Sequence, residues 1–162
     1  MPPLHPLRVY ADTSVYGGLF DDEFALHSIA FFRDVAAGAF TLVTSPVVAL
    51  ELDPAPEAVR SAYTRLTAQA EIVVPSAAAQ TLQSQFLTQG VLGPRSAEDA
   101  LHVALAFASG CPLLVSWNFK HIVHRVKALQ YNAVAALLGY PPIDIRSPRE
   151  VIAYDEQSEQ DG

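Results

Sequence analysis

From Ala100 to Phe119 the chain carries no Asp, Glu, Lys or Arg. A run that long belongs in a protein interior or in lipid, because its apolar side chains gain by leaving water. Lipid is excluded by content. A membrane span needs about 20 continuous apolar residues, and here His102, Ser109, Pro112, Ser116 and Asn118 interrupt the run while Gly110-Cys111-Pro112 divides it. The reading left is a buried helix that stops near Gly110, then a buried strand over 112–116. A helix and a strand that are apolar on nearly every face imply a sheet covered on both sides.

The rest of the chain alternates in the same way. Strands are predicted over 7–11, 40–44, 71–74 and 143–146. Helices are predicted over 24–37 with Gly38 as the stop, over 46–52 opened by Ser45-Pro46, and over 57–69. Further helices run from Ser76 to 88, from Ser96 to 108, and over 127–138 ended by Gly139. Ser147-Pro148-Arg149-Glu150 is a capping box that opens a short last helix. Strands alternating with helices predict an α/β fold, a mainly parallel sheet flanked by helices. In such sheets ligand sites lie beyond the carboxyl ends of the strands. The residues that follow each strand are therefore the candidates.

The chain has 162 residues, which is one domain, and it is 51% hydrophobic and 17% charged, which excludes a disordered chain. The single cysteine, Cys111, excludes an internal disulfide framework and fits a reducing cytoplasm. No basic start precedes an apolar run, so no secretory signal is expected. The net charge of −7 argues against a protein that coats nucleic acid electrostatically, but Asp155 to Gly162 holds four acids and no base, and setting these aside leaves −3. We expect one domain over 1–152 and an acidic, disordered tail over 153–162. Lys120, His121, His124, Arg125 and Lys127 form a basic cluster. Within it Lys120, Arg125 and Lys127 are candidates to contact RNA phosphates, against the alternative of a solvated helix face.

Strand one exits into Asp12-Thr13-Ser14, which places an acid at the sheet edge or an Asx turn there. The helix after strand two carries Glu51 among Val47, Val48, Leu50 and Leu52. A carboxylate buried in such a helix needs a partner; a solvated stripe or an arginine salt bridge is the alternative. Asp99 enters the buried helix in its first turn, where Ser96 and Asp99 also stand at capping-box spacing. His102 lies three residues on and reads more readily as a hydrogen-bonded core residue than as a ligand. Asn118 follows strand four as Asp12 follows strand one, as an oxygen donor or a helix cap. Taken together, Asp12, Glu51, Asp99 and Asn118 are oxygen donors that could converge at one sheet edge. Crowded like charges repel, and a hard divalent cation relieves them. Such a site serves phosphodiester hydrolysis by metal-activated water.

At these residues the sequence resembles the PIN-domain ribonucleases, of the kind found as VapC-type toxins of toxin–antitoxin pairs. Val9-Tyr10-Ala11-Asp12-Thr13-Ser14 resembles the first motif of that family, and Ser45-Pro46-Val47-Val48-Ala49-Leu50-Glu51 the second. Asp99-Ala100-Leu101-His102-Val103-Ala104-Leu105-Ala106 resembles the third and is the most specific. Ser116-Trp117-Asn118-Phe119 resembles the fourth, which often carries Asp. The resemblance implies a PIN-like three-layer fold and an endoribonuclease with Asp12, Glu51, Asp99 and Asn118 as its catalytic set. It implies Mg²⁺ or Mn²⁺ on Asp12, Asp99 and Glu51, with Thr13, Ser14 and Ser116 orienting ligands or water. It further implies a homodimer and a small antitoxin protein as partner. Asn in place of Asp at 118 removes one negative charge and weakens a second ion. The alternatives are a PIN-like scaffold that binds RNA or protein without cleaving, and a phosphohydrolase of small esters.

Overall fold

The computed structural model describes residues 6–152. Strands β1 (Leu7–Ala11), β2 (Phe40–Thr44), β3 (Glu71–Ile72), β4 (Leu113–Val115) and β5 (Asp144–Arg146) form one sheet in the order β3-β2-β1-β4-β5. Every pairing is parallel. The connections hold helices α1 (Thr13–Gly17), α2 (Ala25–Ala36), α3 (Pro46–Leu52), α4 (Glu57–Leu66), α5 (Ala77–Thr88), α6 (Ala97–Ala108) and α7 (Arg125–Leu137), and residues 148–152 are helical. The expected acidic tail over 153–162 lies outside the described residues.

Three consecutive residues of β1, Val9, Tyr10 and Ala11, are fully buried, and so is all of β4. Successive strand residues point to opposite faces, so both faces of the central sheet are covered. The chain runs from β1 outward to β2 and β3, then returns to place β4 and β5 on the other side of β1. The β1–β4 junction is therefore the point where the strand order reverses, the place where α/β sheets open a crevice. Register sets Ala11 beside Val115, so Asp12 and Ser116 emerge next to each other.

The charge-free run is a buried helix and a buried strand, as its sequence required. In α6, Ala100 and every residue from His102 to Phe107 are buried. Gly110 ends it at φ +73°, where a side chain would be strained. Among the described residues no helix is long and apolar enough to cross a membrane. A second glycine matters for the site. A Cβ on Gly18 would lie 2.7 Å from Ser28 Oγ and 2.8 Å from Trp117 Nε1. Its absence lets Trp117 Nε1 donate to buried Ser28 Oγ at 2.8 Å, which pins the segment after β4 to α2.

Three boundaries differ from the sequence reading by two residues or more. β3 is regular over two residues instead of four; Val73 N–H still reaches Thr44 O, but Pro75 has no donor to continue the ladder. α4 ends at Leu66, where the chain turns at Thr67 and its Oγ1 donates to Tyr63 O. α7 starts at Arg125 because His124 Nδ1 accepts from Lys127 N–H, an unusual cap. Ser45 and Ser96 precede α3 and α6 as expected, yet neither side chain caps its helix.

Candidate active site

The site is built where β1 and β4 end. Asp12 leaves β1 in extended conformation and caps α1. Its Oδ1 accepts from Ser14 N–H at 3.1 Å and from Ser14 Oγ at 2.6 Å, and its Oδ2 accepts from Ser116 Oγ at 2.7 Å. The two hydroxyls are themselves held, Ser14 Oγ by Trp117 N–H and Ser116 Oγ by Asn118 N–H, each at 2.9 Å. Asp12 is only 4% exposed. Burial raises its pKa above the ordinary carboxylate value, against the pull of His102 and of the two serine hydroxyls; Glu51 raises it further.

Glu51 lies on α3, with about a quarter of its side chain exposed. Its Oε1 bonds His102 Nε2. His102, on α6, is buried, and its Nδ1 sits 2.8 Å from Tyr10 OH, which sits 2.8 Å from Ser45 Oγ. Burial alone would disfavour the imidazolium, but the bond to Glu51 and the charges of Asp12 and Asp99 outweigh it, so the His102 pKa is raised. Burial also raises the Tyr10 pKa, which keeps it a phenol. In the imidazolium form that the raised pKa favours, His102 donates to Glu51 and to Tyr10, and Tyr10 donates to Ser45. That use of the Ser45 hydroxyl explains why it does not cap α3.

Asp99 is half-buried in the first turn of α6. Because Ser96 makes no side-chain cap bond, the capping-box alternative for this pair is not realised. A cavity of about 300 Å³ opens here, lined by Glu51, Asp99, Glu98 and Arg95 among others. Asp12, Glu51 and Asp99 act on a common group, since the charges of all three raise the His102 pKa. Yet among the described residues no three His, Cys, Asp or Glu side chains are gathered as a metal cluster. In kind the donors fit a hard divalent ion: three carboxylates and no thiolate. Thr13 Oγ1, beside Asp12, is also buried without a hydrogen-bond partner.

The remaining candidates fall in several places. Ser14 and Ser116 hold Asp12 directly. Asn118 Oδ1 accepts from His121 N–H at 2.9 Å, so its side chain closes a turn while its backbone N–H supports Ser116. Lys120 is exposed. Lys127 Nζ donates to Val91 O at 3.0 Å, tying α7 to the loop that leads to Arg95. Arg125 lines a different groove, of about 640 Å³, between α7 and β5. Sequence reasoning missed Tyr10, Ser45 and Arg95 and did not join His102 to Glu51. One signal was present: a carboxylate in an apolar helix needs a partner, and His102 was the uncommitted cationic side chain on the buried helix.

No family model and no curated protein matches the chain. Solved structures do. One is VapBC2 from Rickettsia felis bound to a DNA fragment from its promoter, with a TM-score of 0.57 and 16% identity over 87% of this chain and 98% of the other. Another is Mycobacterium tuberculosis VapC20, a sarcin–ricin loop cleaving toxin, with a TM-score of 0.54 and 17% identity over 83% of this chain and 98% of that one. The chain therefore has the PIN-like α/β fold of these structures.

Proposed function

We propose that this chain is an endoribonuclease that hydrolyses RNA phosphodiester bonds with the help of Mg²⁺ or Mn²⁺, and that it is the toxin of a toxin–antitoxin pair. The observation that carries the reading is Asp12: a buried carboxylate at the β1–β4 switch point, fixed by hydroxyls at both oxygens and paired with no Lys or Arg among the described residues. An ion held by Asp12, Glu51 and Asp99 would supply Lewis acidity toward water and a phosphate oxygen. The chain's own residues do the rest. Ser14 and Ser116 keep the Asp12 oxygens in one orientation. Arg95, on the cavity wall, and exposed Lys120 offer positive charge to the phosphates that flank the scissile bond. The toxin role is supported by the fold shared with VapBC2 and VapC20. By the same analogy the partner is a small antitoxin protein, the chain pairs with a second copy, and both work in the cytoplasm.

A second reading, a scaffold that binds RNA without cleaving it, is favoured by the absence of a gathered metal cluster among the described residues. Mn²⁺ calorimetry with a parallel RNA cleavage assay separates the two. We expect stoichiometric Mn²⁺ binding and metal-dependent cleavage, both abolished in Asp12→Asn and Asp99→Asn with the fold intact. Cleavage that survives in either folded variant sinks the proposed site; RNA binding with no Mn²⁺ uptake leaves the scaffold.

A further inference from the structure

We propose that His102 is a positioning residue: it holds the Glu51 carboxylate on the cavity wall, and Tyr10 and Ser45 fix its ring for that purpose. The inference rests on the nuclease reading for its consequence, the loading of metal, but its geometry stands apart from it. The four groups form one circuit. It starts at Ser45, just before α3, crosses to Tyr10 on β1, passes to His102 on α6, and returns to Glu51 on α3. Both ends of the circuit therefore lie at one short helix, Ser45 just before it and Glu51 within it, and the middle is two buried side chains. Tyr10 and His102 are 0% and 1% exposed, so neither can turn to another partner without unpacking the core.

A histidine kept only for core packing would satisfy its nitrogens within the core. His102 does this on one side alone. Its Nε2 reaches outward to a carboxylate that is partly in solvent and lines the cavity shared with Asp99. Glu51 has three side-chain torsions, and a glutamate on a cavity wall would otherwise sample several rotamers. Bonded through Oε1, it is held to one. No described residue hydrogen-bonds its Oε2, so that oxygen is left for a ligand. Groups of this kind, which orient a ligand without touching the ion, change metal affinity by about 10–100-fold when removed.

The test uses two substitutions of His102 that differ in which nitrogen they imitate. His102→Gln keeps an N–H donor near the Nε2 position, within reach of Glu51. His102→Asn keeps one near Nδ1, within reach of Tyr10 only. Mn²⁺ affinity measured by calorimetry should fall by about 10-fold or more in His102→Asn and return toward wild type in His102→Gln. Tyr10→Phe leaves the ring and the carboxylate in place and frees the ring to rotate, so its loss should be intermediate; it serves also if the His102 variants fold poorly. Equal affinities across the folded variants overturn the proposal and leave the metal reading intact. A wild type that takes up no Mn²⁺ removes the metal reading instead. Positioning is then decided by a double-mutant cycle of Glu51→Gln and His102→Asn melting in EDTA: coupled shifts uphold it, and additive shifts overturn it.

Discussion

Asp12 is almost wholly buried and takes three hydrogen bonds from neutral donors, whereas Glu51 is partly in solvent and takes one from a ring whose pKa is raised. The two carboxylates lie at the same sheet edge and are held by opposite means. Hydroxyls and a backbone N–H fix the geometry of Asp12 without cancelling its charge, so the cost of burying that charge persists and its pKa rises. The imidazole at Glu51 meets charge with charge. An incoming cation therefore gains most at Asp12, while at Glu51 it finds a ligand already oriented and partly neutralised.

The largest effect that would break this contrast is on the neutral side. Ser116 is fully buried and does two jobs, donating to Asp12 Oδ2 and accepting from Asn118 N–H. Ser116→Ala removes a donor to a carboxylate and leaves an N–H without its acceptor, which should cost about 2–3 kcal/mol in urea unfolding. A loss below about 0.5 kcal/mol would show that water replaces both bonds and that Asp12 is not held as described. On the charged side Glu51→Gln should cost less, about 1–2 kcal/mol, because the amide oxygen still accepts from His102 Nε2 and only the charge assistance goes.

Each half also titrates through its own folded pKa. Asp12 has a folded pKa above its ordinary 3.8, so the folded state binds that proton more readily than the unfolded chain. The stability this confers is complete below pH 3.8 and is lost as pH rises through the folded value. His102 has a folded pKa above its ordinary 6.5, so its contribution is complete below pH 6.5 and is lost as pH climbs through its own folded value. Asp12→Asn should remove the Asp12 decline and raise stability at neutral pH in EDTA by about 1 kcal/mol. Glu51→Gln should shrink the His102 decline. Urea midpoints across pH 3–9 for the three proteins check both; a single decline unaffected by either substitution would place the titrating groups elsewhere.

The sheet, and the placing of Asp12 and Ser116 at its carboxyl edge, were legible in the sequence because they follow from local rules. An apolar strand that ends in Asp12 has one place to put its acid, and the charge-free run could only be a buried helix and strand. What was not legible depended on side chains far apart in the chain. Whether Ser45 capped α3 or bonded Tyr10 is a choice between a local hydroxyl contact and one 35 residues away, and the first is all that spacing can suggest. His102 meets Glu51 across 51 residues through a side-chain bond from α6 to α3. Lys127 looked like a free cation in a basic cluster, but its partner is a backbone carbonyl, Val91 O, and carbonyl positions carry no sequence signature.

The smallest effect sharpens the fourth motif. Asn118 stands where the motif that this stretch resembles often carries Asp, and a carboxylate added near a metal pocket would tighten cation binding and destabilise the metal-free protein. In this structure the side chain has another task. Its Oδ1 accepts from His121 N–H, and the link to Asp12 runs through the Asn118 backbone N–H and Ser116. Asn and Asp accept from a turn N–H almost equally well, so Asn118→Asp should change stability by less than about 0.5 kcal/mol. Its melting temperature should rise with Mn²⁺ by the same amount as that of the wild type. Thermal melts of both proteins in EDTA and in Mn²⁺ read this directly. A variant less stable than wild type in EDTA and restored by Mn²⁺ would bring residue 118 into the carboxylate pocket, and the division into a hydroxyl-held and an imidazole-held half would then need a third member.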